Sequence, residues 1–215
     1  MTGRVFIASK KMRGEWAARP DGSIVIDVTS AQAKTAPNRL CLSPMTMKTY
    51  TDPHEGSFPN FEAYWQSLKV LSSVSPIEAK QWWKSIEEPK RRHPKMRTSR
   101  VLHSKHKRFP DQQLGYVESR KKVYVPDYFN MIKDHPHFLQ LRDRVMNGDL
   151  SDSDMVVYDF DGPKREEGFL KNIPDIQEVS IDMLKDKIND EKYPFGHGYV
   201  VAAALANILP AEYVM

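Results

Sequence analysis

Apolar and polar positions follow a helical period most clearly from Pro59 to Leu71, P-N-F-E-A-Y-W-Q-S-L-K-V-L. At 3.6 residues per turn, Phe61, Tyr64, Trp65, Leu68 and Leu71 share one side. Glu62, Gln66 and Lys69 share the other, at i, i+4 and i+7. Asn60 suits an N-cap and Pro59 stands just before it, so a helix is expected to start there. A polar stripe of this kind faces either water or a pocket, and spacing leaves the choice open.

The rest of the chain reads as short elements. Val5 to Ala8 and Ser23 to Val28 have strand composition, and Asp21-Gly22 supplies a turn, so a small N-terminal β hairpin is expected. The loop between them, residues 11 to 21, is basic and carries Trp16. Residues 29 to 58 read mostly as loop, with a strand possible at Leu40 to Leu42. Ser75-Pro76-Ile77-Glu78 has the form of a capping box with proline in the first turn, and predicts a helix to about Glu87. Ala79, Trp82, Trp83 and Ile86 form its apolar side. A helical stretch opens at Pro126-Asp127. Another runs from about Pro136 to Met146 and stops at Asn147-Gly148. Met155 to Phe160 reads as a strand that ends in Asp161-Gly162-Pro163. Ser180 caps a helix through Ile188. Tyr199 to Leu209 is apolar nearly all round, which predicts a buried helix behind the loop Gly196-His197-Gly198.

Composition narrows the class. The chain has 215 residues, 40% hydrophobic and 28% charged, enough for one sizeable core. Its single cysteine, Cys41, excludes an internal disulfide framework and fits a reducing compartment. No apolar run is long enough to span a bilayer and the N-terminus is polar, so a cytoplasmic protein without membrane contact is expected. Net charge is +4. It is unevenly spread: ten Lys or Arg lie between Lys84 and Arg108 against Glu87 and Glu88, and Arg120-Lys121-Lys122 follow. Such a run is either a solvated face or a phosphate-contacting surface. His103 and His106 could share a helical face. With no cysteine or carboxylate cluster beside them, neither a metal nor another cofactor is expected.

The pattern Glu62-x-Tyr64-aromatic-Gln66-x-x-Lys69 resembles the central motif of the NADAR family, which is linked to NAD and ADP-ribose. The order of elements is also similar. Ser75-Pro76 to Lys80, Leu141-Arg142, Asp159 with Asp161, and Gly196-His197-Gly198 follow in the family's sequence. The family's usual Trp-Gly after the acidic strand end is replaced here by Asp161-Gly162-Pro163. The resemblance implies a mainly helical α+β fold in a single domain, with a basic insertion around residues 89–122. It implies a bacterial or phage source and hydrolysis of an N-glycosidic bond. The substrate would be a nucleotide, or an NAD-derived or ADP-ribosylated nucleic acid.

That chemistry develops positive charge on the sugar, which a carboxylate stabilises while it also orients water. Glu62 with Asp159 or Asp161 is the expected pair. Gln66, Lys69, Tyr64, Arg91, Arg92 and the loop Gly196, His197 and Gly198 are the expected substrate contacts. Tyr64, on the apolar side, serves equally well as a brace. Two other classes fit the same residues. One is a protein that binds DNA, RNA or a nucleotide through residues 84–122 without catalysis. The other is an inactive decoy that sequesters a nucleotide.

Overall fold

The computed structural model describes residues 2–10, 20–148, 154–165 and 175–209. The basic loop with Trp16 lies almost wholly outside them. The protein is of mixed α/β type and contains two compact units. One comprises Met1–Ser43 with Val125–Met215, the other Pro44–Tyr124. No helix among the described residues is long and apolar enough to cross a membrane.

The first unit is built on a four-stranded sheet. Its strands are β1 (Val5–Ser9), β2 (Ile24–Asp27), β7 (Met155–Asp159) and β8 (Ile176–Glu178), in the order β2-β7-β1-β8. β1 and β2 both run parallel to β7, with Ser9 and Asp27 reaching its far end beside Asp159 and Tyr158. β8 is antiparallel to β1. The expected N-terminal hairpin is therefore absent. The turn at Gly22 exists, with φ at +75°, but the strand after it pairs with β7. A central strand must be apolar on both faces. Met155-Val156-Val157 meets that demand and is fully buried, so β7 takes the place between β1 and β2.

Helices α1 (Pro37–Leu42), α5 (Val125–Ile132), α6 (Pro136–Asn147), α7 (Ile181–Asn189) and α8 (His197–Leu205) complete this unit. Pro37 at its first position starts α1 where a strand was possible at Leu40 to Leu42. α8 packs on β1 and β7 and also meets α5 and α6. Gly198 to Leu205 are all buried as a result, which explains a helix with no polar face.

The second unit contains β3 (Tyr50–Asp52) and β4 (Gly56–Phe58), a hairpin. Then come α2 (Phe61–Ser67), β5 (Lys69–Leu71), α3 (Pro76–Ser85), β6 (Val101–Ser104) and α4 (Tyr116–Ser119). A 3₁₀ turn at Pro94–Arg97 precedes β6, and a π-helical turn at Arg120–Tyr124 follows α4. β5 and β6 pair antiparallel, Lys69 opposite Ser104 and Val70 opposite His103. The core is aromatic: Tyr64 packs against Tyr50, Phe58 and Phe61 with ring centroids 4.6, 5.6 and 5.5 Å away. Phe58, Phe61, Tyr64 and Trp83 are almost completely buried.

Two lysines of α3 hold the β3–β4 turn. Lys80 Nζ donates to Glu55 Oε2 at 2.5 Å and Lys84 Nζ to the Glu55 carbonyl at 2.7 Å. Burial pushes the Glu55 carboxyl upward, but Lys80 and the Lys107 N–H outweigh it and hold the group below its ordinary value. Part of the basic run is thus spent on internal structure.

Candidate functional site

Glu62 stands in the first turn of α2. Asn60 Oδ1 caps that turn by accepting from Ala63 N at 2.8 Å. The Glu62 N–H donates to the Pro44 carbonyl at 2.9 Å, and Gln66 Nε2 donates to Glu62 Oε1 at 2.7 Å, one turn along. Gln66 Oε1 is shielded from solvent with no hydrogen-bond partner. The helix ends at Ser67, so Lys69 is not its i+7 residue but the first residue of β5. It nevertheless remains in the group. Burial lowers the Lys69 ammonium pKa, the nearby Glu62 carboxylate raises it in part, and Arg92 lowers it further.

Lys69 also lines a cavity of about 380 Å³ within this unit. Trp65 of α2 forms one wall and the β6 residues Val101 to Ser104 another. Leu114, Tyr116 and Ser119 complete it. A short bridge explains how these approach: Ser104 and Leu114 exchange both backbone hydrogen bonds, at 2.8 and 2.9 Å. The rim is apolar and open to solvent, with Val101, Leu102 and Tyr116 44, 56 and 44% exposed. Arg120, itself buried, stacks over the Tyr116 ring at 3.8 Å. His103 lines the cavity, but its Nε2 is sealed from solvent and has no hydrogen-bond partner. An unmade bond of this kind costs about 1–3 kcal/mol in a closed protein. A volume near the low end of the ~300–1,000 Å³ typical of ligand pockets suits a nucleoside-sized molecule.

Tyr64 is turned away from any such ligand. Its ring is fully buried and its hydroxyl lies 3.0 Å from His106 Nε2. His106 Nδ1 accepts from the Arg108 N–H at 2.9 Å, so in the neutral ring Nε2 carries the hydrogen. Asp52 Oδ1, 3.6 Å from that nitrogen, accepts from the N–H groups of His54 and Glu55. Tyr64 thus braces α2 through a buried polar network. Arg91 and Arg92 are exposed, as are Lys90, Lys95, Arg97 and Arg100. His93 instead is buried and caps the 3₁₀ turn, accepting from Lys95 N at 3.2 Å.

The other predicted residues belong to the first unit. Asp159 ends β7 buried, and its Oδ2 accepts from Gly198 N at 2.8 Å. His197 Nδ1 is 3.4 Å from the same oxygen, while its Nε2 lies 2.9 Å from the Val28 carbonyl. A carbonyl only accepts, so Nε2 bears a hydrogen. The glycines are required by contact. A Cβ on Gly198 would lie 2.4 Å from Asp159 Cβ, and one on Gly196 2.6 Å from Asp159 Oδ2. The free amide at this helix start is therefore met by the chain's own carboxylate. Tyr128, buried beside it, donates to the Leu42 carbonyl at 2.5 Å. Burial, then the Asp159 charge, pushes its phenol pKa well up. Asp161 is exposed and borders a small cavity of about 60 Å³ with Lys164, Lys187 and Tyr193.

Sequence reasoning placed Glu62, Gln66 and Lys69 in one cluster. It weighed His103 only beside His106 on a helical face, whereas His103 lies in strand β6, and it missed Tyr116. Comparison with protein-family models, with curated proteins and with solved structures finds no match for this chain.

Proposed function

We propose that the Pro44–Tyr124 unit binds a nucleotide-like substrate and hydrolyses its N-glycosidic bond, as a divergent relative of the NADAR family. One observation carries the reading. Lys69 belongs at once to the Glu62–Gln66 cluster and to the wall of the 380 Å³ cavity. A carboxylate, an amide with an unused acceptor and a cation then meet next to an aromatic-lined space. This is the set that the chemistry needs. Glu62 stabilises the developing sugar cation and receives a proton from the water that adds to C1′. The base nitrogen leaves with the bond pair and takes up a proton. Gln66 Oε1 accepts from a ribose hydroxyl, and Lys69 pairs with substrate phosphate.

Glu62 belongs to one unit and Asp159 and Asp161 to the other. The proposal accordingly assigns bond breaking to Glu62 and gives Asp159 the seating of α8. Asp159→Asn then acts mainly on stability.

The test is Glu62→Gln, which keeps shape and hydrogen bonding but removes the charge. Wild type and variant are incubated with nucleotides and ADP-ribosylated DNA, and released base is read by mass spectrometry. Turnover is expected to fall about a hundredfold or more, the scale of a lost electrostatic group, with binding little changed. A variant that releases base at the wild-type rate removes Glu62 from the mechanism. The exposed cations from Lys90 to Arg100 support a second reading, nucleic-acid binding without turnover. In that case the wild type binds but releases no base.

A further inference from the structure

We propose that the small cavity past the end of β7 is an anion site. It holds the phosphoryl group of a small phosphate monoester between Lys164 and Lys187, while Asp161 accepts from a hydroxyl of the same ligand. The site lies within the first unit and does not depend on the hydrolase reading of the Pro44–Tyr124 unit.

Three observations converge on it. The first is position. β1, β2 and β7 run parallel, so their carboxyl ends share one edge of the sheet, with Ser9 beside Asp159 and Asp27 beside Tyr158. Loops that leave such an edge form the ligand crevices of open α/β sheets. The cavity lies there. Residues 160–164 follow β7 directly, Tyr193 and Pro194 come from the loop before α8, and Lys187 comes from α7.

The second is charge. Lys164 Nζ lies 5.4 Å and Lys192 Nζ 5.2 Å from the centre of the Tyr193 ring. Among the described residues neither ammonium forms an ion pair. The half-exposed Lys164 lines the cavity, and so does Lys187. Like charges gathered around one ring repel each other, and an anion placed among them offsets that cost.

The third is size and rigidity. A volume of about 60 Å³ is several times the ~10–15 Å³ that one water needs and well below the ~300 Å³ at which ligand pockets begin. It admits a phosphoryl group but no nucleoside, so the rest of the ligand stays at the mouth. Gly162 pins one wall. Its N–H donates to the Asp159 carbonyl at 3.2 Å, and a Cβ there would come 2.5 Å from the Ala8 carbonyl. Pro163 and Pro194 fix φ on either side, and the Pro163 carbonyl accepts from the Asp175 N–H at 2.9 Å. A site formed in advance loses little freedom on binding.

Asp161 sets the kind of ligand. It is exposed and borders the cavity. Its carboxylate repels a bare anion but accepts from a hydroxyl. The site therefore favours a phosphate attached to a polyol over inorganic phosphate.

Binding of inorganic phosphate, glycerol 3-phosphate and glycerol is measured by calorimetry on the full chain. Glycerol 3-phosphate is expected to bind more tightly than inorganic phosphate, and glycerol is not expected to bind. Lys164→Gln and Lys187→Gln should each weaken glycerol 3-phosphate about tenfold, the size of one lost charge-assisted hydrogen bond. Lys164→Arg should retain it, which shows that the site still forms. Asp161→Asn should tighten inorganic phosphate and weaken glycerol 3-phosphate. No binding of either phosphate, wild-type affinity in both glutamine variants, or an Asp161→Asn protein in which both ligands shift the same way overturns the proposal. Phosphate bound at the Lys69 cavity instead would survive both glutamine variants, and so counts against it. The hydrolase reading is tested separately, by base release in Glu62→Gln, and neither result bears on the other.

Discussion

Lys69 is the residue on which the site turns, because opposing fields act on one ammonium. Burial lowers its pKa, Glu62 raises it and Arg92 lowers it again, with a net fall. Each partner therefore has a signed effect. Reductive methylation with ¹³C, followed by NMR titration, should show the Lys69 resonance titrating below the other lysines. Glu62→Gln should lower it further, and Arg92→Ala should raise it. The consequence for ligands follows the same sign. The folded protein releases this proton at lower pH than an unfolded chain, whose lysine titrates near about 10.4. Anion binding at the cavity is present below the lowered pKa and lost as pH rises through it. Lys69→Arg should carry AMP binding to higher pH, since a guanidinium stays charged. An AMP affinity that does not change with pH until the ordinary lysines titrate would place Lys69 away from the phosphate. The stability contribution runs the other way. The unfolded chain binds the extra proton between the two pKa values, so stability rises with pH across that window.

The elements show where side-chain chemistry overrode sequence period. Starts were legible because caps are local. Asn60 caps α2 and Ser180 caps α7 by accepting from Met183 N at 3.2 Å. α6 begins at Pro136 and stops at Gly148 as its residues suggest. Ends and partners were not legible. α2 stops after Ser67 although the apolar period runs on to Leu71, because Lys69-Val70-Leu71 finds a strand partner in β6. That pairing is a tertiary choice absent from any local window. Ser75 heads α3 but makes no side-chain cap. The glycine loop was legible as glycine but not as to cause, which is steric: Asp159 fills the space where side chains would stand. Gly198→Ala should hence force α8 off the end of β7. A cost of about 1–3 kcal/mol is expected, as for overpacking in a closed core, with a drop in thermal midpoint of about 2–4 °C per kcal/mol. An unchanged midpoint in calorimetry would mean that α8 does not rest on Asp159. The Glu62 assay should be unaffected in kind, with only the folded fraction reduced.

At the scale of the whole molecule the issue is where the charge goes. Net charge is only +4, yet the exposed cations concentrate in one contiguous stretch. Lys80 and Lys84 are committed to Glu55, and Lys90 pairs with Glu88 at 3.7 Å; Arg91, Arg92 and Lys95 are three of the exposed cations and serve for the reversal. Exposed ion pairs are worth little, so reversing exposed cations should hardly move stability. It should move long-range attraction considerably. Each Arg or Lys to Glu change removes two positive charges, so the triple reversal turns +4 into −2. If this stretch meets phosphates, single-stranded oligonucleotide binding falls with salt by about 0.7 in log–log slope per contact. The triple reversal should then flatten that slope by about two and weaken affinity most at low salt. Glu62→Gln should leave the slope unchanged, because one carboxylate at the cavity releases no phosphate counterions. The measurement is fluorescence anisotropy of a labelled oligonucleotide from about 50 to 200 mM salt, on all three proteins. A slope unaffected by the triple reversal would make the basic stretch a solvated face and confine recognition to the cavity. A steep slope that the reversal abolishes, with no base released by wild type, would make it the whole function and leave Glu62 as a helix-surface acid.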